Sequence, residues 1–166
     1  LSTWKNGDYM MKKTYIFVII FFYACSSDDL SEDQERANEI WDEMSGYQSW
    51  GQISDFSGIQ SSNSAHGSYV QVWINEIAES FLSDSTSSGQ LPNGSLIVKE
   101  GYSDSNGSDI SKITIMKKIE GYDSNNNNWF WANYNSGGSL AGKNGKETSC
   151  YNCHASGQDY LLSTTW

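Results

Sequence analysis

Apolar residues recur along this chain with two different periods. Ala37, Ile40, Trp41 and Met44 stand at i, i+3, i+4 and i+7, the single stripe of an amphipathic helix. Ser31 and Gln34 form a capping box ahead of that stripe and Gly46 follows it, so the pattern predicts a helix from Glu32 to about Ser45. Beyond it the period shortens towards two. Tyr69-Val70-Gln71-Val72-Trp73-Ile74 is β-branched and aromatic and predicts a strand, after which Asn75 can cap a short helix carrying Ile77, Ala78, Phe81 and Leu82. Pro92-Asn93-Gly94 is a turn, and Ser95 to Tyr102 and Ile110 to Ile119 read as strands on either side of a turn-rich segment. Trp129 to Tyr134 reads as a further strand, residues 135–149 as a Gly/Ser/Asn loop, and residues 150–157 as a short helical turn closed by Gly157. The expected class is α+β: mainly antiparallel β-sheet, with an N-terminal helix and a short C-terminal helix.

The first residues follow neither period. Met10 or Met11 opens an export-type signal, with residues 1–10 read as upstream lead-in. Lys12 and Lys13 make the positive region, and the apolar core Ile16 to Tyr23 is far shorter than the about 20 residues that span a bilayer. Ala24-Cys25-Ser26 closes it as a bacterial lipobox would, with Cys25 as the residue to be lipidated, although Phe22-Tyr23 stands where leucine is usual. The expected organisation is therefore a leader over 1–24, a polar tether over 25–31 and one domain over 32–166. Ser26-Ser27-Asp28-Asp29 resembles the acidic export tag of bacterial surface lipoproteins. The expected location is periplasmic or cell-surface, anchored by lipid.

Charge narrows the partners. The formal charge is −10, and without residues 1–24, which hold Lys5, Lys12, Lys13 and Asp8, it becomes −12. So acidic a surface argues against nucleic acid and suits a basic redox partner.

The chemistry is concentrated in Cys150-Tyr151-Asn152-Cys153-His154. Cys-x-x-Cys-His is the attachment signature of a c-type haem. Two thiols a short turn apart add across the two vinyl groups, and the following histidine offers a ring nitrogen to the iron. A thioredoxin-like pair would need a βαβ setting, and a zinc site would need two more ligands where only His66 and Cys25 remain. The expected cofactor is one covalent haem c per chain, held by Cys150 and Cys153, with His154 as the axial iron ligand. The C-terminal helix is then the haem-binding helix. Cys25 carries lipid in this reading, which leaves no cysteine for a disulfide.

Small all-helical cytochromes c carry this motif near the amino end, whereas here it lies near the carboxyl end of a strand-rich chain. An ordered series of segments gives a closer likeness. These are Tyr69 to Asn75, Leu91-Pro92-Asn93-Gly94-Ser95-Leu96-Ile97-Val98-Lys99-Glu100, Ile113 to Lys117, Asn128 to Trp131, and Cys150 to His154 followed by Asp159. Over roughly residues 65–162 the chain resembles the cytochrome P-460 family, whose relatives include cytochrome c′-beta. That resemblance implies a homodimer of antiparallel sheet with flanking helices and one five-coordinate haem per subunit. It further implies that Lys99, at the Val-Lys-Glu position, is covalently joined to the porphyrin edge in the hydroxylamine-oxidising members. A strand lysine by itself would be expected to face solvent. Those enzymes place an acid above the iron, near where this chain has Ile113 or Thr114, and the available substitutes are Glu100 and Asp109.

Three functions follow as expectations. The first is an oxidoreductase acting on hydroxylamine or nitric oxide, delivering electrons to a soluble carrier. The second is a gas-binding module for nitric oxide or carbon monoxide, with Phe81, Trp73 or Trp131 covering an apolar distal face. The third is an electron-transfer cytochrome whose sixth ligand is His66, Met116 or Met44.

Overall fold

The computed structural model describes residues 30–163. The expected leader, the lipobox cysteine Cys25 and most of the tether lie outside the described residues. Six strands form one antiparallel meander in chain order: β1 (Gln60–Ser61), β2 (Tyr69–Ile74), β3 (Leu96–Tyr102), β4 (Ile110–Lys118), β5 (Trp129–Tyr134) and β6 (Leu140–Gly145). Three helices complete it: α1 (Glu32–Glu43), α2 (Glu76–Ser83) and α3 (Thr148–His154). This is the expected α+β class, with a helix at each end of a mainly antiparallel sheet.

Local signals explain most of these elements. Ser31 Oγ accepts from Gln34 N while Gln34 Oε1 accepts from Ser31 N, closing the capping box, and Gly46 continues the chain in the left-handed region at φ 77°. Asn75 caps α2 through Ala78 N at 3.2 Å, and its amide also donates to Gly94 O at 2.9 Å, tying the helix to the turn before β3. The segment expected as loop over 135–149 holds β6 instead. Its Leu-Ala-Gly-Lys-Asn-Gly sequence has little strand propensity, but it pairs as an edge strand with β5, Ala132 opposite Asn144 and Tyr134 opposite Leu140.

The sheet is buried on both faces, so β3 carries almost no exposed position. On one face Ala37, Ile40 and Met44 of α1 pack with Trp73, Val98, Ile113 and Phe130, and the buried Tyr134 hydroxyl donates to Ala37 O at 2.6 Å. On the other, Val72, Ile74, Ile97, Met116 and Trp131 face Tyr151 of α3 and Leu161. Strand alternation therefore sends the adjacent Lys99 and Glu100 to opposite sides.

The C-terminal segment is clamped by Asp159. Its fully buried carboxylate lies 2.6 Å from Lys118 Nζ at both oxygens and accepts from Leu91 N at 2.8 Å and Asn127 Nδ2 at 2.9 Å. Trp129 Nε1 donates to the Asp159 carbonyl at 2.8 Å, and the Lys118 ammonium lies 4.7 Å from the Trp129 ring centre.

Removing one member of this pair strands a buried charge. Asp159→Ala is expected to lower unfolding free energy by about 3–5 kcal/mol, whereas a Lys118→Met, Asp159→Leu double variant should lose less than Asp159→Ala alone. Urea denaturation of the three proteins measures both, and a double variant as unstable as the single one would contradict the account.

Candidate haem site

α3 places Cys150 and Cys153 three residues apart and His154 four after Cys150, the spacing that brings side chains to one helical face. Tyr151 pins the helix to β5. It is buried, its hydroxyl donates to Trp129 O at 2.6 Å, and its ring stands edge-on to Trp131 at 5.6 Å. Cys150, Cys153 and His154 all line a cavity of about 380 Å³, a size usual for cofactor sites. The sheet supplies its floor in two cross-strand rungs. Val72, Lys99, Thr114 and Asn133 form one; Ile97, Met116 and Trp131 form the other.

Hydrogen bonding fixes the state of His154. Its Nδ1 lies 2.8 Å from the Tyr160 carbonyl oxygen. A carbonyl only accepts, so Nδ1 carries the hydrogen and Nε2 keeps the lone pair that a metal needs. Burial holds the ring's pKa below the ordinary histidine value, partly offset by the Tyr160 bond. The carbonyl is aimed by an unusual turn: Asp159 and Tyr160 both lie in the left-handed region, at φ 47° and 65°. The Asp159 clamp holds that strained backbone in place.

His66 lies across from it. The loop before β2 brings this ring to 6.1 Å from that of His154, centre to centre, with the planes at 90°. Its Nδ1 is 3.0 Å from Thr114 Oγ1, and that hydroxyl can donate onward to Lys99 O at 3.4 Å. Burial, reinforced by the nearby Lys99 charge, lowers its pKa to about 3, so the ring is neutral. Gly101 makes the approach possible, because a Cβ there would fall 1.7 Å from the His66 carbonyl oxygen.

Lys99 does not face bulk solvent as a lone strand lysine would. It lines the cavity, its Nζ 5.9 Å from the Phe56 ring centre, and burial lowers its pKa. Among the described residues no carboxylate lies within ion-pair distance of it. Glu100 is no substitute acid for this site. It is buried on the opposite face, where Tyr47 and Tyr102 donate to it and Gln48 Nε2 does so at 2.8 Å. Asp109 is exposed and accepts from Ser103.

The remaining candidates separate by face. Met44 and Trp73 belong to the α1 side and do not reach the cavity, and Phe81 packs nearby without lining it. Met116 and Trp131 do line it, and Trp131 stands 4.9 Å from the His154 ring, packed beside that histidine. Asn133, Lys112 and Lys143 were not marked by any motif. Thr114 was marked by the resemblance, as a residue near the acid position, and the alternation of β4 sets it on one face with Met116.

The residues present fit a haem. Thiols and an imidazole lone pair border one apolar cavity. In a chain of charge −10 that cavity is lined by Lys99, Lys112 and Lys143 and, among the described residues, by no carboxylate, the right sign for a ring bearing two propionates. Trp131 Nε1 is buried without an acceptor among the described residues, so an acceptor on the occupant would meet it. A zinc site does not fit, since among the described residues no three His, Cys, Asp or Glu side chains converge on one ion. No curated protein matches the chain. The family model Cytochrome P460 matches residues 44–162, reaching upstream of the segments that carry the resemblance to the C-cap of the first helix. The match spans most of the sequence and ends at the cavity's own wall, at Leu162; the chain belongs to the cytochrome P460 family, whose cofactor is haem.

Proposed function

We propose that this is an extracytoplasmic mono-haem c protein that binds nitric oxide and related small nitrogen ligands. In this reading Cys150 and Cys153 tether the haem, His154 ligates its iron, and Cys25 anchors the chain to a bacterial membrane by lipid. The observation that carries it is the convergence of Cys150, Cys153 and the Nδ1-tied His154 on one lysine-bordered apolar cavity. Bound there, haem supplies the iron and its redox chemistry. The protein's part is to hold and enclose. Tyr160 orients the axial imidazole, and Val72, Ile97, Met116 and Phe56 present apolar surface that excludes water and favours small neutral ligands.

Oxidation of hydroxylamine, with electrons leaving to a soluble carrier, is the second reading, and Lys99 favours it. The residue stands in the cavity with its pKa lowered, at the position the hydroxylamine-oxidising members join to the ring. Against that, no carboxylate among the described residues lines the cavity to take protons from the substrate, which is why binding ranks first.

Expressed with haem-maturation machinery, the full chain should retain its haem through acid–acetone extraction. The Cys150→Ser, Cys153→Ser double variant should release it, and retention by the double variant would contradict attachment at these thiols. Proteolysis of the holoprotein separates the two readings further. A haem joined to Lys99 would link the peptide containing β3 to the Cys150–His154 peptide, and Lys99→Leu would abolish the link; haem on the second peptide alone would remove the cross-link. Ferrous holoprotein should bind nitric oxide and carbon monoxide reversibly while turning over no hydroxylamine, and steady hydroxylamine oxidation would reverse the ranking.

A further inference from the structure

The cavity holds a second imidazole that the five-coordinate iron implied by the resemblance has no use for. We infer that His66 is a built-in sixth ligand: it occupies the iron position opposite His154 in the resting protein and must be displaced before an external ligand binds. This rests on the haem reading above.

Geometry carries the inference. Metal–imidazole bonds of about 2 Å on either side of one ion bring the two ring centres to roughly 6 Å. The observed separation is 6.1 Å. A distal group that hydrogen-bonds a ligand already on the metal would have to stand further off, because that ligand's atoms come between. The proton positions agree. His154 Nδ1 donates to the Tyr160 carbonyl, and His66 Nδ1 faces a Thr114 hydroxyl whose own hydrogen can go to Lys99 O. Each ring then keeps Nε2 as its lone-pair nitrogen. Two neutral imidazoles with free Nε2 atoms, each oriented through Nδ1, are what a bis-histidine iron requires.

The loop that carries His66 is built to this position. Gly101, near the end of a buried strand, gives up its side chain so that the His66 backbone can lie against the sheet. Lys112 Nζ donates to Ala65 O at 2.8 Å and fastens the residue just before it. The attachment is nonetheless a loop and not part of the sheet: His66 lies between β1 and β2 in a Ser/Gly-rich stretch, which suits a ligand that can leave. Met116 is another cavity residue able to ligate, and it belongs to a central strand paired on both sides.

The absorption and electron paramagnetic resonance spectra of the full-length holoprotein test this first without any variant. Low-spin ferric and ferrous iron, with sharp paired visible bands in the reduced form, is expected. His66→Ala should then turn high-spin, bind carbon monoxide at least about tenfold faster because the competent fraction rises, and return to low spin on addition of imidazole. Thr114→Val, which removes the partner of Nδ1 while leaving the ring, should give a mixture of spin states. High-spin iron in the wild type would overturn the inference while leaving the haem reading intact. Low-spin iron that persists in His66→Ala would also overturn it and pass the role to Met116, checked by Met116→Leu. A full-length chain that takes up no covalent haem would overturn the haem reading itself, an outcome distinct from either spectrum.

Discussion

A buried carboxylate sits at the junction on which the site depends. Asp159 brings its charge into the interior, where only a close counter-ion and a full set of donors make it tolerable. Lys118 from β4, Asn127 and the Leu91 amide supply them from three separate parts of the chain. Because all must be met at once, the backbone around Asp159 has little freedom. That constraint is what holds Asp159 and Tyr160 in left-handed conformations and turns one carbonyl towards His154. The orientation of the His154 imidazole is thus set through the neighbouring Lys118–Asp159 ion pair.

The sheet contributes something different, a division of labour between its faces. One face is closed by α1 and packs as an ordinary aromatic core, with Tyr47, Trp73, Phe130 and Tyr134 in contact with the helix. The other is only partly closed, because α3 and the turn after it cover one end and leave a cavity over the middle of β3 and β4. Lys99 and Glu100 show the consequence. They are adjacent and both polar in a strand otherwise apolar, yet one enters the cavity with no ionic partner among the described residues and the other is absorbed into a tyrosine-rich hydrogen-bond cluster. Only the first is free to take part in chemistry.

The electrostatics follow the same division. The chain is strongly acidic overall, but among the described residues its cavity carries ammonium groups and no carboxylate. An anionic cofactor enters such a site favourably, whereas a substrate that must lose protons finds no carboxylate base there. Two neutral histidines with their Nδ1 atoms tied also line it, and both suit ligation better than acid–base work.

Much of this was written locally and could be read without a structure. The cysteines and histidine fall within one helical turn, so their spacing alone carries the attachment chemistry. The capping box of α1, the Asn75 cap and the alternating strands likewise depend on residues within a few positions of one another. The leader, Cys25 included, lies outside the described residues and stays a reading of sequence. Tertiary structure decided the rest, because it depended on register between distant segments. Strand β6 has no propensity of its own and exists only because β5 offers an edge to pair with. Alternation said that Trp73 and Val72 face opposite ways, but not which of the two faces is hollow. His66 could be counted as a spare histidine; that it meets His154 depends on a glycine thirty-five residues later in β3, where the missing side chain lets the two segments touch.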